Sequence, residues 1–450
     1  MNSFIHPKAG ESEDIFIMIL SKVSVSDGID LSLLKTDKFK SGIFTFRVSV
    51  PYTARNAVLG QLLSCVLKRG TRSYPDLASL SRRLDELYAS SADLRCAKLG
   101  KNLILTVTSD IIDQKYVPDN TDLLGGVLEI VYETLTCPHF ENGYFPEKIF
   151  EQEKRFLMSD IDATVNNTRA YAGIRLNELM FASDPEYLTI ERTKEILGEI
   201  DNSSLVDFFN DYVRCAPISV FYVGSLDGEF IKSKLIEQFK DRSFNEAVLP
   251  NMPYAEPALE LRSKEEKMPV SQGKLALGFK TSAVISENGN NHYALMLMNE
   301  IFGGSPASKL FMNVREKMGL CYYCSSHFNQ YSGILTVSSG IDSANRKKAQ
   351  KAILKELDSI RDGKISDVEI HAAKASLENS YRQLFDNPYD LQSSYGNKKF
   401  FGFTDSIEAS LSKVLSVTKE QVAEVAKAVI LDSVFFVEGT SDGEEEQDDE

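Results

Sequence analysis

The chain reads Ile104-Leu105-Thr106-Val107-Thr108-Ser109 in its first half and Ile334-Leu335-Thr336-Val337-Ser338-Ser339 in its second. A second pair of runs follows in the same order, Ser219-Val220-Phe221-Tyr222-Val223-Gly224 and Ser433-Val434-Phe435-Phe436-Val437-Glu438. All four are rich in β-branched and aromatic residues and are bounded by turn residues, which is typical of strands. A chance match of short β-rich runs is the alternative, but two matches in one order favour an internal duplication.

Helical patterns lie between the paired strands in both halves. Apolar spacing predicts helices over 128–135 and 149–161 in the first half, and over 352–360 and 368–384 in the second. Each half is therefore a strand-helix-helix-strand block. We predict an α+β fold of two tandem homologous domains, each a mostly antiparallel β-sheet packed with helices.

Composition shifts place the domain boundaries. We assign 1–243 to the N-terminal domain, 244–266 to a linker with three prolines among charged residues, and 267–443 to the C-terminal domain. The last stretch, 444–450, contains six acidic residues in seven and is predicted to be disordered. It is either an interaction tail or a solvated terminus.

Overall composition excludes several classes of protein. The 450 residues carry 50 Lys and Arg against 65 Asp and Glu, a net charge of −15, so we expect no nucleic-acid partner. No apolar stretch approaches the ~20 residues of a spanning helix, and the start has no signal-peptide pattern, so we expect no membrane association. Six cysteines, mostly far apart, fit a reducing compartment, and we expect a cytoplasmic protein.

A strong helix pattern runs from Arg55 to Arg69. Its apolar positions recur at helical spacing, and Lys68, Arg69 and Gly70 supply a basic last turn and a left-handed stop. The apolar positions are Val58, Leu59, Leu62, Leu63, Val66 and Leu67. A Gly70-Thr71-Arg72-Ser73 turn and a second amphipathic pattern over 77–88 follow.

This helix-turn-helix segment resembles the insulinase and pitrilysin group of zinc metallopeptidases, which includes the mitochondrial processing peptidases. In that family a His-x-x-Glu-His helix runs into a Lys-Gly-Thr turn. Alignment on Gly70-Thr71 puts Gln61, Ser64 and Cys65 at the His, Glu and His positions. Catalytic zinc needs three protein ligands and a carboxylate base, so these residues cannot do that chemistry.

The resemblance also implies where a third ligand would stand. The run Glu151-Gln152-Glu153-Lys154-Arg155 is similar to a family run that precedes the ligand, and it places Asp160 at that position. Cys65 and Asp160 alone do not make a metal site. The histidines His6, His139, His292, His327 and His371 contain no pair three or four positions apart. We therefore expect no metal and no cofactor.

A glycine-rich segment in the second half carries the other resemblance. It reads Phe302-Gly303-Gly304-Ser305-Pro306, then Leu310-Phe311, and then Val314-Arg315-Glu316-Lys317-Met318-Gly319-Leu320-Cys321-Tyr322. Ser305 and Pro306 predict a helix start, Leu310, Phe311, Val314 and Met318 a buried stripe, and Gly319 the helix end, with a strand emerging afterwards.

The same segment is similar to the second-domain signature of the family. There an Arg and a Tyr hold the substrate backbone, so the resemblance implies substrate-binding roles for Arg315 and Tyr322, with Gly303 and Gly304 in the adjoining loop. Both side chains are donors suited to a peptide carbonyl or oxyanion. The alternative is a solvated helix arginine and a core strand tyrosine. No Lys-Ser/Thr follows the glycines, which argues against a phosphate loop.

Cys321 and Cys324 form a Cys-x-x-Cys pair. Such a pair occurs in redox sites and in zinc half-sites, but no second pair accompanies it and it falls on a predicted strand. We give it no catalytic role.

Three functions remain open. The resemblance implies a non-catalytic subunit that binds peptide beside an active His-x-x-Glu-His partner in a heterodimer. The second is a degenerate scaffold that forms a homodimer. The third is a stand-alone hydrolase, with Cys65 as nucleophile and a partner that the local sequence does not identify. The first is our interpretation, so catalytic residues are expected to be absent from this chain.

Overall fold

The computed structural model describes residues 19–245, 260–285, 290–403 and 405–440. The predicted tail over 444–450, most of the predicted linker and His6 lie outside the described residues. Two mixed sheets organise the chain, of six and five strands. The strands are Ile19–Ser26 (β1), Ile29–Lys35 (β2), Ser41–Pro51 (β3), Asp93–Leu99 (β4), Asn102–Ile112 (β5), Ile218–Gly224 (β6), Arg262–Met268 (β7), Gly273–Lys280 (β8), Tyr323–Asn329 (β9), Ile334–Ile341 (β10) and Ile430–Gly439 (β11).

The two sheets have the same topology. The first has the order β1-β2-β6-β3-β5-β4 and the second β7-β11-β8-β10-β9. Without β1, each strand of the first matches one of the second, including a single parallel pair, β2 with β6 and β7 with β11. The first echo in the sequence forms β5 and β10, and the second forms β6 and β11. The predicted duplication and the mostly antiparallel sheets are therefore confirmed.

Helices connect the strands in a matching pattern. Five α-helices lie between β5 and β6 and five between β10 and β11, where the sequence pattern predicted two in each half. The α-helices are Ala54–Leu67 (α1), Leu77–Glu86 (α2), Leu123–Thr136 (α3), Glu147–Ala163 (α4), Thr168–Met180 (α5), Ile190–Glu199 (α6), Asn202–Tyr212 (α7), Gly228–Phe239 (α8), Asn291–Asn299 (α9), Arg346–Arg361 (α10), Asp367–Gln383 (α11), Pro388–Phe400 (α12), Ile407–Ser416 (α13) and Lys419–Lys427 (α14). In the described part of the chain, no helix has the length and apolar character needed to cross a bilayer.

Each half lends one helix to the sheet of the other half. Helix α5 of the first half packs on β8 and β11, where Leu176 and Met180 join Phe435 in a small core. Helix α12 of the second half packs on β6 and β3, where Leu391 joins Phe221. This reciprocal packing fixes the two domains against each other through buried apolar contacts.

Ionic contacts between α5 and β7 add to this packing. Glu266 on β7 accepts hydrogen bonds from Tyr171 (2.6 Å) and Arg175 (3.0 Å) of α5 and pairs with Lys264 (2.8 Å). Burial acts to raise the pKa of Glu266, but these donors outweigh it and lower the pKa to about 2. The carboxylate therefore stays ionised between the two halves.

Strand β7 corrects the predicted linker. Residues 262–266 belong to β7, which pairs with β11 along its length, so the second sheet begins before position 267. The charged run Arg-Ser-Lys-Glu-Glu-Lys suggested a loop, yet it forms an edge strand whose side chains are largely exposed. Charged residues are common on edge strands because they discourage pairing with other chains.

Candidate functional site

Helix α1 is buried on nearly every side. The Thr53 hydroxyl oxygen accepts a hydrogen bond from the Asn56 N–H (3.0 Å) and caps its start. The six apolar positions that predicted the helix are all buried against β4, β5 and α4. Gly70 does not provide the predicted left-handed stop, since its φ is not positive. A Cβ there would lie 2.6 Å from the Pro75 backbone, so close approach of the chain explains this glycine.

The turn after α1 is held by a buried carboxylate. Glu133 of α3 accepts hydrogen bonds from the Thr71 hydroxyl (2.7 Å), the Ser73 hydroxyl (2.7 Å) and the Ser73 N–H (2.9 Å). Thr71 is fully buried. This anchor fixes the end of α1 relative to the rest of the first domain.

Gln61, Ser64 and Cys65 lie together on α1, as their spacing predicts. The Ser64 hydroxyl is buried and donates to the Gln61 carbonyl oxygen at 2.7 Å, so it is used within the helix. Cys65 is half-buried. Burial raises the pKa of its thiol, and the negative charge of Glu153 raises it further. The thiol is therefore protonated at neutral pH, which disfavours both metal binding and nucleophilic attack.

The acidic residues of α4 complete this region. Glu153 is buried and its Oε1 lies 2.8 Å from a guanidinium nitrogen of Arg69. Asp160, at the predicted ligand position, is exposed near the end of α4, and its charge also acts on Cys65. The fold thus brings both Asp160 and Glu153 to the neighbourhood of Cys65.

These residues do not fit the zinc ion that the family resemblance implies. An amide, a hydroxyl committed to a carbonyl and a protonated thiol replace two imidazoles and a base. One nearby carboxylate is neutralised by Arg69. Among the described residues, no three His, Cys, Asp or Glu side chains are grouped so that they could hold a metal ion.

The two glycines of the second-half segment lie in a tight π-helical turn rather than in a loop. Gly303 is buried, and a Cβ there would lie 2.8 Å from the Ser326 backbone nitrogen of β9, while Gly304 is exposed. Residues Glu300–Gly304 and Leu310–Lys317 form two π-helical stretches, a rare form that is frequent at functional sites.

Two details of the predicted helix are wrong. Ser308, not Ser305, provides the cap: its hydroxyl accepts from the Phe311 N–H at 3.4 Å, and Pro306 therefore precedes the helix. Met318 is exposed and Phe311 only half-buried, because the wider helix presents Leu310 and Val314 alone to the core. Gly319 does end the helix with a φ of +59°.

Arg315 and Tyr322 both reach the surface of the second domain. The Arg315 guanidinium lies 4.6 Å from the centroid of the Phe311 ring and 3.6 Å from the carboxylate of its neighbour Glu316. Tyr322 precedes β9, its N–H donates to the Gly340 carbonyl oxygen at 2.8 Å, and its side chain is 60% exposed. Tyr322 is therefore not the core strand residue of the alternative interpretation.

The cysteine pair lies directly beside these two residues. Cys324 is buried on β9 and Cys321 is half-buried just before it. A hydrogen bond from the Cys324 thiol lowers the pKa of Cys321, and the Ser339 hydroxyl and the charge of Arg315 act in the same direction against the effect of burial. Cys321 thus differs from Cys65 in the direction of its pKa shift.

Sequence reasoning missed Arg169 at the start of α5. Its guanidinium lies 4.3 Å from the centroid of the Tyr323 ring, which follows Tyr322. The first half therefore contributes a cation next to the second-half segment. No local pattern marks this residue, because the contact depends on the helix exchange between the sheets.

Comparisons with known proteins relate this chain to a family of peptidases. A family model for the peptidase M16 inactive domain matches residues 161–377. A probable inactive metalloprotease of Bacillus subtilis, YmfF, is 30% identical over 413 residues, which cover 92% of this chain and 96% of that protein.

Two solved structures share the fold over nearly the whole chain. A conserved protein from Enterococcus faecalis has a TM-score of 0.85 at 28% identity and covers 94% of this chain and 100% of that one. A peptidase M16 inactive domain from Pseudomonas fluorescens has a TM-score of 0.75 at 17% identity, covering 94% and 99%. Together with the altered positions on α1, these likenesses show that the chain belongs to the M16, or insulinase-type, peptidase family as a member without the His-x-x-Glu-His motif.

Proposed function

We propose that this chain is the non-catalytic subunit of a heterodimeric M16 zinc peptidase, to whose cleft it contributes Arg315 and Tyr322. One observation carries the proposal: the residues at the metal positions do not fit a metal ion, whereas Tyr322 is exposed and the half-exposed Arg315 acts on Cys321, the residue next to Tyr322. The partner would be a chain with an intact His-x-x-Glu-His helix.

The two side chains suit a peptide substrate. The guanidinium of Arg315 has no opposite-charge contact among the described residues apart from the 3.6 Å contact to its neighbour Glu316, so its donors can turn to a carbonyl or carboxylate. The Tyr322 phenol adds one donor at the same surface. In a closed heterodimer they would hold the peptide backbone or stabilise an oxyanion near the scissile bond of the partner's site.

We extend the proposal to the chain beside the bound peptide and to the cellular compartment. Gly303 and Gly304 would shape the turn beside the bound peptide, and Gly304 is the exposed member of the pair. We place the assembly in the cytoplasm. The six cysteines of this chain are mostly far apart in the sequence, which fits a reducing compartment.

The test begins with identification of the partner. A tagged form of the full chain, expressed in its native host, should co-purify with a protein that contains His-x-x-Glu-His. The reconstituted pair should cleave unfolded peptides, and Arg315→Ala should lower kcat/KM about tenfold or more, as expected for loss of a charged substrate contact. Tyr322→Phe should have a smaller effect.

The matched control is Lys317→Ala, which removes an exposed cation from the same helix. It should leave cleavage unchanged. Subunit affinity, measured by analytical ultracentrifugation, should be the same for all variants. Equal cleavage rates with the wild-type and Arg315→Ala chains would contradict the proposed role, and a homodimer without peptidase would favour a scaffold instead.

A further inference from the structure

A lysine-rich face runs along α10 of the second domain. It consists of Lys347, Lys348, Lys351 and Lys355, all exposed, and we call it the lysine face. Three of these residues line a groove of about 530 Å³ together with Gln350, Leu354 and Asp358. With the described residues, none of the four lysines forms an ion pair, although the whole chain carries a net charge of −15.

The position of these cations is unfavourable for the helix itself. The first turn of α10 begins Arg346-Lys347-Lys348, at the positive end of the helix dipole, and the Asn345 side chain makes no capping hydrogen bond. Arg346 has a counter-charge in Glu265 and a ring contact with Phe436. The lysines have no such counter-charge in the described structure, so an anionic group at this face would stabilise the helix.

The chain itself passes the start of α10 as it leaves the second sheet. The N–H of Gly439, the last residue of β11, donates to the Ser343 hydroxyl at 3.1 Å, and Ser343 lies just ahead of α10. The Thr440 N–H donates to the Met268 carbonyl oxygen at 3.0 Å. The described chain therefore ends beside the segment that leads into α10, with Gly439 held at Ser343, four residues before Lys347.

The sequence after Thr440 is acidic and therefore complementary in charge to the lysine face. Residues 441–450 read Ser-Asp-Gly-Glu-Glu-Glu-Gln-Asp-Asp-Glu, in which seven of ten side chains are carboxylates. Ten residues can span ~33 Å when extended, whereas Lys347 and Lys355 are only ~12 Å apart along the helix axis. The segment is therefore long enough to reach all four lysines.

We propose that the acidic segment 442–450 binds in cis to the lysine face of α10. Single exposed ion pairs are weak and screened by salt. A short tether supplies an effective concentration in the millimolar range, so that several weak pairs together can hold the segment. The occupant of the groove is thus part of this chain, and salt releases it.

Lysine footprinting on the full chain tests the proposal. Brief acetylation at low salt, followed by mass spectrometry, should modify Lys351 and Lys355 more slowly in the wild type than in a variant with Glu444→Gln, Glu445→Gln and Glu446→Gln. We expect a difference of about twofold or more that disappears at high salt, because screening removes the pairing. Lys148 and Lys240, two exposed lysines elsewhere, should react equally in both proteins.

Carbodiimide coupling identifies the occupant. Cross-links between 444–450 and the lysine face should form within single chains, and Lys351→Gln with Lys355→Gln should reduce them, whereas Lys148→Gln with Lys240→Gln should not. Cross-links only between chains would overturn the proposal in favour of a second copy. Equal coupling of the segment to all exposed lysines, or unchanged footprints in the tail variant, would overturn it as well.

Discussion

The α1–α4 region of the first domain and the Gly303–Tyr322 region of the second have opposite characters. In the first, two buried polar side chains have partners inside the protein: Ser64 bonds to its own helix and Glu153 pairs with Arg69. In the second, Arg315 and Tyr322 reach solvent beside a half-buried thiol of lowered pKa. The two halves of a duplicated fold can therefore differ: one lacks metal ligands, while the other presents donor side chains to solvent.

The largest loss of stability should come from breaking the ion pair between Arg69 and the buried Glu153. Arg69→Ala leaves the buried Glu153 carboxylate without its partner, and removal of one member of a buried pair costs about 3 kcal/mol or more. Urea unfolding should measure this loss. Adding Glu153→Gln to Arg69→Ala should recover part of it, because the unpaired charge is removed. An unchanged free energy of unfolding would show that the pair does not stabilise α1 against α4.

The contact between α5 and β7, which joins the two domains, should have the next largest effect. Glu266→Gln weakens charged hydrogen bonds from Tyr171 and Arg175 and should cost about 2 kcal/mol. Because the folded pKa of about 2 lies below the ordinary value of 4.5, this stabilisation is complete above pH 4.5 and is lost as the pH falls towards 2. Urea unfolding of wild type and variant should therefore converge in acid. The exposed Glu151→Gln control should track the wild type at every pH.

The two half-buried thiols should differ in reactivity. Cys321, whose pKa is lowered, should react with iodoacetamide at neutral pH ~10-fold faster than Cys65, whose pKa is raised. Mass spectrometry of partly alkylated protein measures both rates at once. Arg315→Ala should slow Cys321, since the guanidinium favours its thiolate, and leave Cys65 unaffected. Faster labelling of Cys65 would reverse the contrast between the two regions.

The smallest change in stability is expected from substitutions in the Gly303–Tyr322 region. Arg315→Ala and Tyr322→Phe remove groups with few internal contacts, so the free energy of unfolding should change by less than about 0.5 kcal/mol. Thermal unfolding checks this directly. A large loss of stability from either change would mean that these residues support the fold, and would weaken the case for a binding role.

Several elements could be predicted because their signals are local. The echoed β-rich runs located β5, β6, β10 and β11, and apolar spacing located α1, since strand and helix periodicities are written in neighbouring residues. The Gly70-Thr71 turn fixed the alignment of α1. The pattern found the four helices of 14 to 17 residues and missed three shorter ones in each half, which have 9 to 13 residues and give fewer turns of pattern.

The duplication, the absence of imidazoles at positions 61 and 65, and the segment that contains Arg315 and Tyr322 can all be read from the amino-acid sequence alone. The packing of the folded chain determines that α5 and α12 exchange sheets, that Arg69 pairs with Glu153, and that Arg169 contacts the Tyr323 ring. It also decided that the wider helix exposes Met318. These contacts join residues far apart in the chain, so burial and charge pairing arise only when distant segments pack together.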